Sequence, residues 1–412
     1  MPKQAQTRAK ISRFCPAGLG RLTKKRNLQM NILLWAPHGA GEHYWGPGIS
    51  AFRLYKKGLP AEVKISLAHG CKEQRPYPEV FDNTYFIYNL SSTNYARQIS
   101  FLAHSYYWIK KNYQKFDVVH VLGAYELSFK PALWFEKIGV PVYLKITGDK
   151  GGITGCSRLS KILGVSKRRN SNLNKLTGYI AISEIIKRNL INAGVSENKI
   201  HAIPNGVDSS IFKPVDPSQK TALRDHFNLR NKFTVIFVGG LSKRKQPLML
   251  VKGIKKVIDT IGDKFQLILL GPARDEITLE EINKYIYENS LQNSVIHIDH
   301  TNNPQTYLQM ADVYCLPSIS EGMSNALLEA MSTGLPSIVT PISGSQDLIG
   351  NNNCGLIINN TDELVNAINF YFNNQNIAKQ HGENARRIIV NNYDVQEILS
   401  KHLDIFYKTY PL

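Results

Sequence analysis

Two glutamates, Glu321 and Glu329, stand with seven residues between them, and the first four of those are Gly322-Met323-Ser324-Asn325. Ser324 and Asn325 are helix-capping residue types. Ala326-Leu327-Leu328-Glu329-Ala330-Met331 reads as the helix they open, ended near Gly334. The start of such a helix offers free N–H donors and a partial positive charge, which suits phosphate oxygens. Acids beside a diphosphate would repel it, so the two glutamates must face something else. Sugar hydroxyls fit, since a carboxylate can accept two hydroxyl donors at once. The plainer alternative makes Glu329 a solvated helix residue and Glu321 a capping acid. The apolar neighbours Ala326, Leu328, Ala330 and Met331 argue instead that Glu329 is enclosed.

Other turns of similar chemistry follow short apolar runs that read as strands. Gly239-Gly240-Leu241-Ser242-Lys243-Arg244-Lys245 follows 233–238, and Gly271-Pro272 follows 265–270. Pro317 to Asn325 follows 312–316, and Pro341-Ile342-Ser343-Gly344 follows 336–340. In open α/β sheets, ligands bind beyond the carboxyl ends of the strands. The four turns are therefore expected on one sheet edge, forming one cleft with close backbone approach, three cations and a carboxylate. That composition suits a diphosphate carrying hydroxylated groups. In the first half, Gly39-Ala40-Gly41 follows 30–36, and Thr147-Gly148-Asp149-Lys150-Gly151-Gly152 follows 141–146. Asp149 could orient an acceptor hydroxyl or be an ordinary turn aspartate. His120 reads as a core or rim histidine rather than a ligand, and His38 reads either way.

The elements that must position these turns alternate regularly. Strands are expected at 30–36, 62–68, 84–88, 117–122, 141–146 and 178–182, with helices at 47–57, 95–114, 126–138 and 183–193. The pattern restarts with strands at 233–238, 265–270, 294–298, 312–316 and 336–340. Its helices are 246–260, 276–289, 324–333, 361–374 and 376–390. Alternating strands and helices predict parallel, doubly wound sheets. Pro204-Asn205-Gly206-Val207-Asp208, Pro214 and Pro217 mark a linker between the halves. The expected fold is α/β, with two Rossmann-like doubly wound domains facing each other across a cleft. A basic extension covers 1–29, the first domain 30–208 and the second 209–412. The last helix is a candidate to pack back on the first domain.

Composition sets the outer bounds. With 412 residues, 43% hydrophobic and 20% charged, the chain is too long for one ordinary core and too apolar for global disorder. No run approaches 18 uncharged apolar residues, which excludes a transmembrane helix. The five cysteines are odd in number and form no CxxC pair, arguing against a disulfide scaffold or structural zinc and for a reducing compartment. The net charge of +18 is uneven: residues 1–212 hold 31 Lys+Arg against 12 Asp+Glu, and residues 213–412 hold 19 against 20. The first half is thus expected to face something anionic: nucleic acid, a membrane surface or an acidic glycan. Residues 1–29 read as a disordered basic arm, as an extension upstream of a start at Met30, or as a short amphipathic membrane helix. Arg158, Lys161, Lys167, Arg168, Arg169 and Lys175 lie in an acid-free stretch with Leu159, Ile162, Leu163 and Val165. That mix suits a membrane interface, a solvated basic rim or a groove for an acidic glycan.

Glu321-Gly322, Glu329-Ala330-Met331 and Gly334-Leu335-Pro336 together resemble the signature of family-four retaining glycosyltransferases (glycosyl transferases group 1), which have the GT-B architecture. The resemblance extends to Asn205-Gly206-Val207-Asp208, Phe212, the Gly239–Lys245 loop, Ala311-Asp312-Val313 and Pro317-Ser318. It covers most of 178–390 and is weak over 30–177. It implies that Glu321 contacts the donor sugar hydroxyls, that Glu329 holds the nucleotide ribose, and that Lys245 binds the diphosphate. The family's partner arginine falls on Gly240, so Arg244 becomes its candidate replacement. The family's usual histidine falls on Thr147. Gly39, Gly41, Gly239, Gly240, Gly271, Gly322, Met323, Ser324 and Asn325 are the other expected donor-binding positions, and Asp149 is the candidate on the acceptor side.

The resemblance also implies an activity: transfer of a sugar from a nucleotide-diphosphate sugar to a glycan or lipid-linked acceptor, with retention, in cell-surface polysaccharide biosynthesis. UDP is the expected nucleotide, being frequent in the family. No cofactor is expected, and no metal, since the sequence has no Asp-x-Asp motif. An anionic membrane surface is a candidate partner, and nucleic acid is not expected. The expected location is cytoplasmic, with the inner face of the membrane as a candidate peripheral site. A nucleotide-sugar epimerase of the same architecture and a non-enzymatic basic membrane or nucleic-acid binder are the alternatives.

Overall fold

The computed structural model describes residues 29–42, 46–73, 75–89, 94–148, 172–229 and 232–409. The basic stretches at 1–28 and 149–171, and with them Asp149, lie outside the described residues.

The first half builds one sheet from β1 (Met30–Trp35), β2 (Val63–His69), β3 (Asn83–Phe86), β4 (Val118–Leu122), β5 (Val142–Ile146), β6 (Gly178–Ala181) and β7 (Ile200–Ala202). The strand order is β3-β2-β1-β4-β5-β6-β7, parallel throughout. The second half builds another from β8 (Phe233–Val238), β9 (Phe265–Leu270), β10 (Val295–Ile298), β11 (Val313–Leu316), β12 (Ser337–Val339) and β13 (Gly355–Ile357). Its order is β10-β9-β8-β11-β12-β13, again parallel. Both orders reverse beside the first strand of the sheet, so each half has a switch point, between β1 and β4 and between β8 and β11.

Every residue of β4, β5 and β9 is buried. Helices cover both faces of such a sheet, which is why these strands read as mostly apolar runs, each with one polar residue (His120, Lys145, Gln266), rather than as alternating ones. Trp35 shows the packing on one face: it is fully buried, with Phe101, Trp108 and Phe135 around it at ring centroid distances of 6.0, 6.1 and 5.8 Å. Burying a large side chain of this kind contributes about 1.5–3 kcal/mol.

The chain crosses between the halves twice, side by side. The Val207 N–H donates to the Tyr393 carbonyl, and the Val395 N–H to the Val207 carbonyl, both at 2.9 Å. The last helix, Val395–Thr409, then lies on the first half. Its Ile398, Leu399 and Phe406 share a core with Ile32 and Leu34 of β1, and the Tyr143 hydroxyl donates to the Ile405 carbonyl at 2.7 Å. Strands β7 and β13 and the helices Pro217–His226, Pro304–Met310, Ser343–Ile349 and Val395–Thr409 go beyond the sequence reading. The two strands have three residues each, too few for a period to show.

Candidate active site

The loop after β8 begins at Gly239, whose φ of +148° lies where L side chains rarely go. A Cβ there would also lie 3.0 Å from Lys245 Nζ, so the glycine lets the lysine fold back over the backbone. Lys245 closes a short 3-10 turn, Lys243–Lys245, ahead of the helix Pro247–Ile261. Its Nζ reaches Glu321 Oε1 at 2.9 Å, and Arg244 Nη1 meets the same oxygen at 2.8 Å. The Ser318 hydroxyl approaches it at 3.4 Å. Burial alone would raise the Glu321 carboxyl, but Lys245 and then Arg244 outweigh it and hold it below the ordinary glutamate range. Arg244 also donates to the Ser320 carbonyl, and its own carbonyl accepts the Ile319 N–H at 2.9 Å. The loops after β8 and β11, which flank the switch point, are thereby fastened together.

Ser324 caps the helix Asn325–Ser332, its hydroxyl accepting from the Leu327 N–H at 3.4 Å. Gly322 sits where the two halves nearly touch: a Cβ on it would lie 2.6 Å from the Thr147 carbonyl oxygen. On its other side, the Gly344 N–H donates to the Gly322 carbonyl at 3.1 Å. The turn Pro341–Gly344 therefore does not line the cleft as expected. It backs the Gly322 loop, and Ser343 hydrogen-bonds Ser183 of the first half at 2.6 Å.

Glu329 is 5% exposed, on the cleft side of its helix. Its carboxylate pairs with Arg53, which comes from the helix Gly46–Lys56 of the opposite half. Asn205 joins the same seam, accepting from the Ser50 hydroxyl at 3.1 Å and donating to Asn325 Oδ1 at 2.9 Å.

Between the halves lies a cleft of about 740 Å³. Glu321, Glu329, Lys245, Arg244, Gly239, Gly240, Gly271, Gly322, Met323, Ser324 and Asn325 all line it. The expected Gly39 and Gly41 do not. Gly39 makes the turn after β1 (φ +85°), both glycines are buried, and the wall nearby is formed by Glu42, Gly46 and Pro47. Lys243 does not line the cleft either. His120 is fully buried, its Nδ1 2.6 Å from the Tyr55 hydroxyl, so it belongs to the core and not to the site. His38 lies edge-on to Tyr125, a cleft residue, with ring centroids 6.0 Å apart. The sequence reading missed Arg53, Arg274, Asp299 and His300 on the cleft wall. For Asp299 and His300 a signal existed, because they follow β10 on the same carboxyl edge.

A family model described as "Glycosyl transferases group 1" matches residues 219–388, which carry Glu321, Glu329 and Lys245. A second, "Glycosyltransferase Family 4", matches residues 53–211. Both halves of the chain match glycosyltransferase models. Among similar proteins is the UDP-Gal:alpha-D-GlcNAc-diphosphoundecaprenol alpha-1,3-galactosyltransferase of Escherichia coli, 32% identical over 221 residues, 52% of this chain and 55% of that protein. Another is the capsular polysaccharide biosynthesis glycosyltransferase CapM of Staphylococcus aureus, 27% identical over 57% of this chain and 62% of that protein. The chain thus spans less than two thirds of the length of these curated relatives. In fold it is similar to a glycosyltransferase from Rickettsia africae, with a TM-score of 0.76 at 19% identity over 93% of this chain and 99% of that one. Anabaena Alr3699/HepE, solved with UDP and glucose, gives a TM-score of 0.75 at 17% identity over 92% and 99%. The chain therefore has the two-domain GT-B architecture.

Proposed function

We propose that this protein is a retaining, metal-independent glycosyltransferase that moves a sugar from a nucleotide-diphosphate sugar, UDP-linked by first choice, to a hydroxyl of a glycan or lipid-linked acceptor. The observation that carries this reading is the placement of Glu321, paired with Lys245, just ahead of the helix Asn325–Ser332 and of Glu329 on its second turn, all on the wall of an interdomain cleft. Glu329 would hold the ribose hydroxyls and Glu321 the sugar hydroxyls, with the diphosphate between them near Lys245. Lys245, Arg244 and the Ser318 hydroxyl all approach Glu321 through Oε1, and a sugar hydroxyl would bind Oε2.

In the transfer, the bond from the anomeric carbon to the β-phosphate oxygen breaks, and its electron pair stays on the phosphate. The acceptor oxygen bonds to the same face of the carbon and gives its proton to the leaving phosphate. Negative charge grows on the diphosphate, and Lys245 with the helix amides would stabilise it by preorganised electrostatics. Closure of the two halves about the paired crossings at Val207 and Val395 would exclude water.

A role in cell-surface polysaccharide synthesis, with a lipid-linked acceptor, is supported by the names of the relatives in Escherichia coli and Staphylococcus aureus. A peripheral membrane position is supported by the helix Asn94–Asn112, which exposes Tyr106 and Tyr107 with Lys110 and Lys111 over their rings at 4.5 and 4.4 Å. Among the described residues no helix is long and apolar enough to cross a membrane.

The test is twofold. Thermal unfolding with a panel of nucleoside diphosphates should show stabilisation by one of them, about 2.7 kcal/mol at 100 times its Kd. Incubation of the matching nucleotide sugar with lipid-diphosphate glycans should give an α-linked product in the presence of EDTA. No stabilisation by any nucleoside diphosphate would overturn the reading. An inverted product or a strict metal requirement would overturn its finer part.

A further inference from the structure

The charges on the cleft wall are not all paired with one another. Four cations line it, Arg53, Arg244, Lys245 and Arg274, with four carboxylates, Glu42, Asp299, Glu321 and Glu329. Arg53 is paired with Glu329, and Arg244 and Lys245 share Glu321. Among the described residues, no carboxylate pairs with Arg274. Its neighbour Asp275 is occupied, accepting the Thr278 hydroxyl at 2.7 Å.

The stem of Arg274 has a fixed place. The turns after β8 and β9 continue the parallel pairing of their strands: the Gly239 N–H donates to the Leu270 carbonyl and the Leu241 N–H to the Pro272 carbonyl, each at 2.8 Å. The Arg274 N–H then donates back to the Leu241 carbonyl at 2.9 Å. This register lays the arginine over Gly240. A Cβ at 240 would lie 2.6 Å from Arg274 Cγ and 3.2 Å from Nε. A side chain at 240 and the Arg274 stem therefore compete for one space, beside Gly239 and the Lys245 ammonium that lies over it.

We infer that Arg274 supplies the unpaired positive charge of the donor site, its guanidinium binding the diphosphate oxygens of the nucleotide on the side opposite Lys245, and that residue 240 is glycine because Arg274 lies across it. A diphosphate carries more than one negative charge, and Lys245 is already shared with Glu321. A planar guanidinium can bind phosphate oxygens in pairs, which a second ammonium cannot. Arg274 therefore takes the place proposed from sequence for Arg244, whose guanidinium is held by Glu321 and the Ser320 carbonyl. The inference rests on the donor-site reading given under Proposed function.

The experiment compares four proteins, wild type, Arg274→Ala, Gly240→Arg and the double variant, by calorimetric titration with UDP and with uridine, which lacks the phosphates. Panel nucleosides replace uridine if another diphosphate binds better. Arg274→Ala should weaken the diphosphate by at least about tenfold and leave the nucleoside unchanged. Gly240→Arg alone should also weaken it, by displacing Arg274. The double variant, in which the new arginine has room, should recover most of the affinity. Full diphosphate affinity in Arg274→Ala would overturn the inference, as would equal losses for nucleoside and diphosphate. A double variant no better than Arg274→Ala would overturn the shared-space account. Wild-type protein that binds no nucleoside diphosphate would overturn the donor-site reading itself, a result distinct from all of these.

Discussion

Arg53 of the first half and Glu329 of the second form an ion pair across the cleft, although 276 positions separate them in the chain. The carboxylate is nearly buried, with 6% of its side chain exposed, while the arginine is 34% exposed. A nucleotide ribose at Glu329 is expected to compete with Arg53 for the carboxylate. Arg53→Ala and Glu329→Ala are therefore expected to move nucleoside diphosphate affinity in opposite directions. Removing the competing arginine should tighten binding by up to about fivefold, the scale of a partly exposed pair. Removing the carboxylate should weaken it by roughly 1–3 kcal/mol. Titration calorimetry decides, and weakening in both variants would make Arg53 a donor ligand rather than a competitor.

Glu321 and Lys245 touch each other but are assigned different partners, so their variants should separate. Glu321→Ala is expected to keep nucleoside diphosphate binding and lose transfer. Lys245→Ala should lower turnover by about 10²–10³-fold, the loss typical of one preorganised donor, and weaken the diphosphate as well. Steady-state kinetics alongside binding of the free nucleotide checks the division. Equal loss of nucleotide affinity in both would show that the pair acts as one unit.

Glu321, Glu329, Lys245 and the turns around them are legible in the sequence because turn and cap chemistry is local: Gly239 opens the loop that carries Lys245, and Ser324 caps the helix that carries Glu329. The strand runs are legible for a similar reason, since strands covered on both faces leave mostly apolar stretches. Arg53 is not legible, because it sits on an ordinary amphipathic helix and acquires its role only when the domains face each other. Arg274 is hidden in the same way: nothing in Gly271-Pro272-Ala273-Arg274 reveals that it lies over Gly240 until β8 and β9 are paired. Gly39 and Gly41 look like a phosphate loop from spacing alone, yet they serve the turn after β1 and stand back from the cleft wall.

The returning C-terminal helix should make the fold acid-sensitive. His402 of that helix is fully buried against His120 of β4, with ring centroids 5.4 Å apart, and the Tyr55 hydroxyl and Lys145 complete the cluster. Burial first, and Lys145 second, push His402 down to about 3; burial, His402 and Lys145 push His120 well below its ordinary value. Burial also lowers Lys145, to about 8. As pH falls below about 6.5, the unfolded chain takes up protons on these histidines that the folded chain refuses, so stability declines. Each unit costs about 1.4 kcal/mol per histidine, or roughly 2 kcal/mol from His402 alone by pH 5. Urea unfolding at pH 7 and pH 5 should show this loss in wild type and a loss smaller by about that amount in His402→Leu. Identical pH dependence in the two proteins would remove His402 from the account.

The close approach at Gly322 predicts how tightly transfer depends on the two halves meeting. An added Cβ would lie 2.6 Å from the Thr147 carbonyl oxygen, 3.0 Å from its carbon and 3.1 Å from Ile182 Cδ1, all in the opposite half. Gly322 cannot retreat, because the Gly344 N–H is bonded to its carbonyl from behind at 3.1 Å. The contact is with backbone, so no flexible side chain can swing aside, and Gly322→Ala should push the halves apart at the cleft. Each sheet keeps its own core, so circular dichroism should be unchanged. Transfer should fall by about 10²-fold, as a misplacement of roughly 1 Å can cause, and X-ray scattering should report a larger radius of gyration. Gly148→Ala is the control for scattering, since a Cβ there meets nothing within 4 Å. An unchanged radius with full activity in Gly322→Ala would mean that the Thr147 contact is not made during turnover.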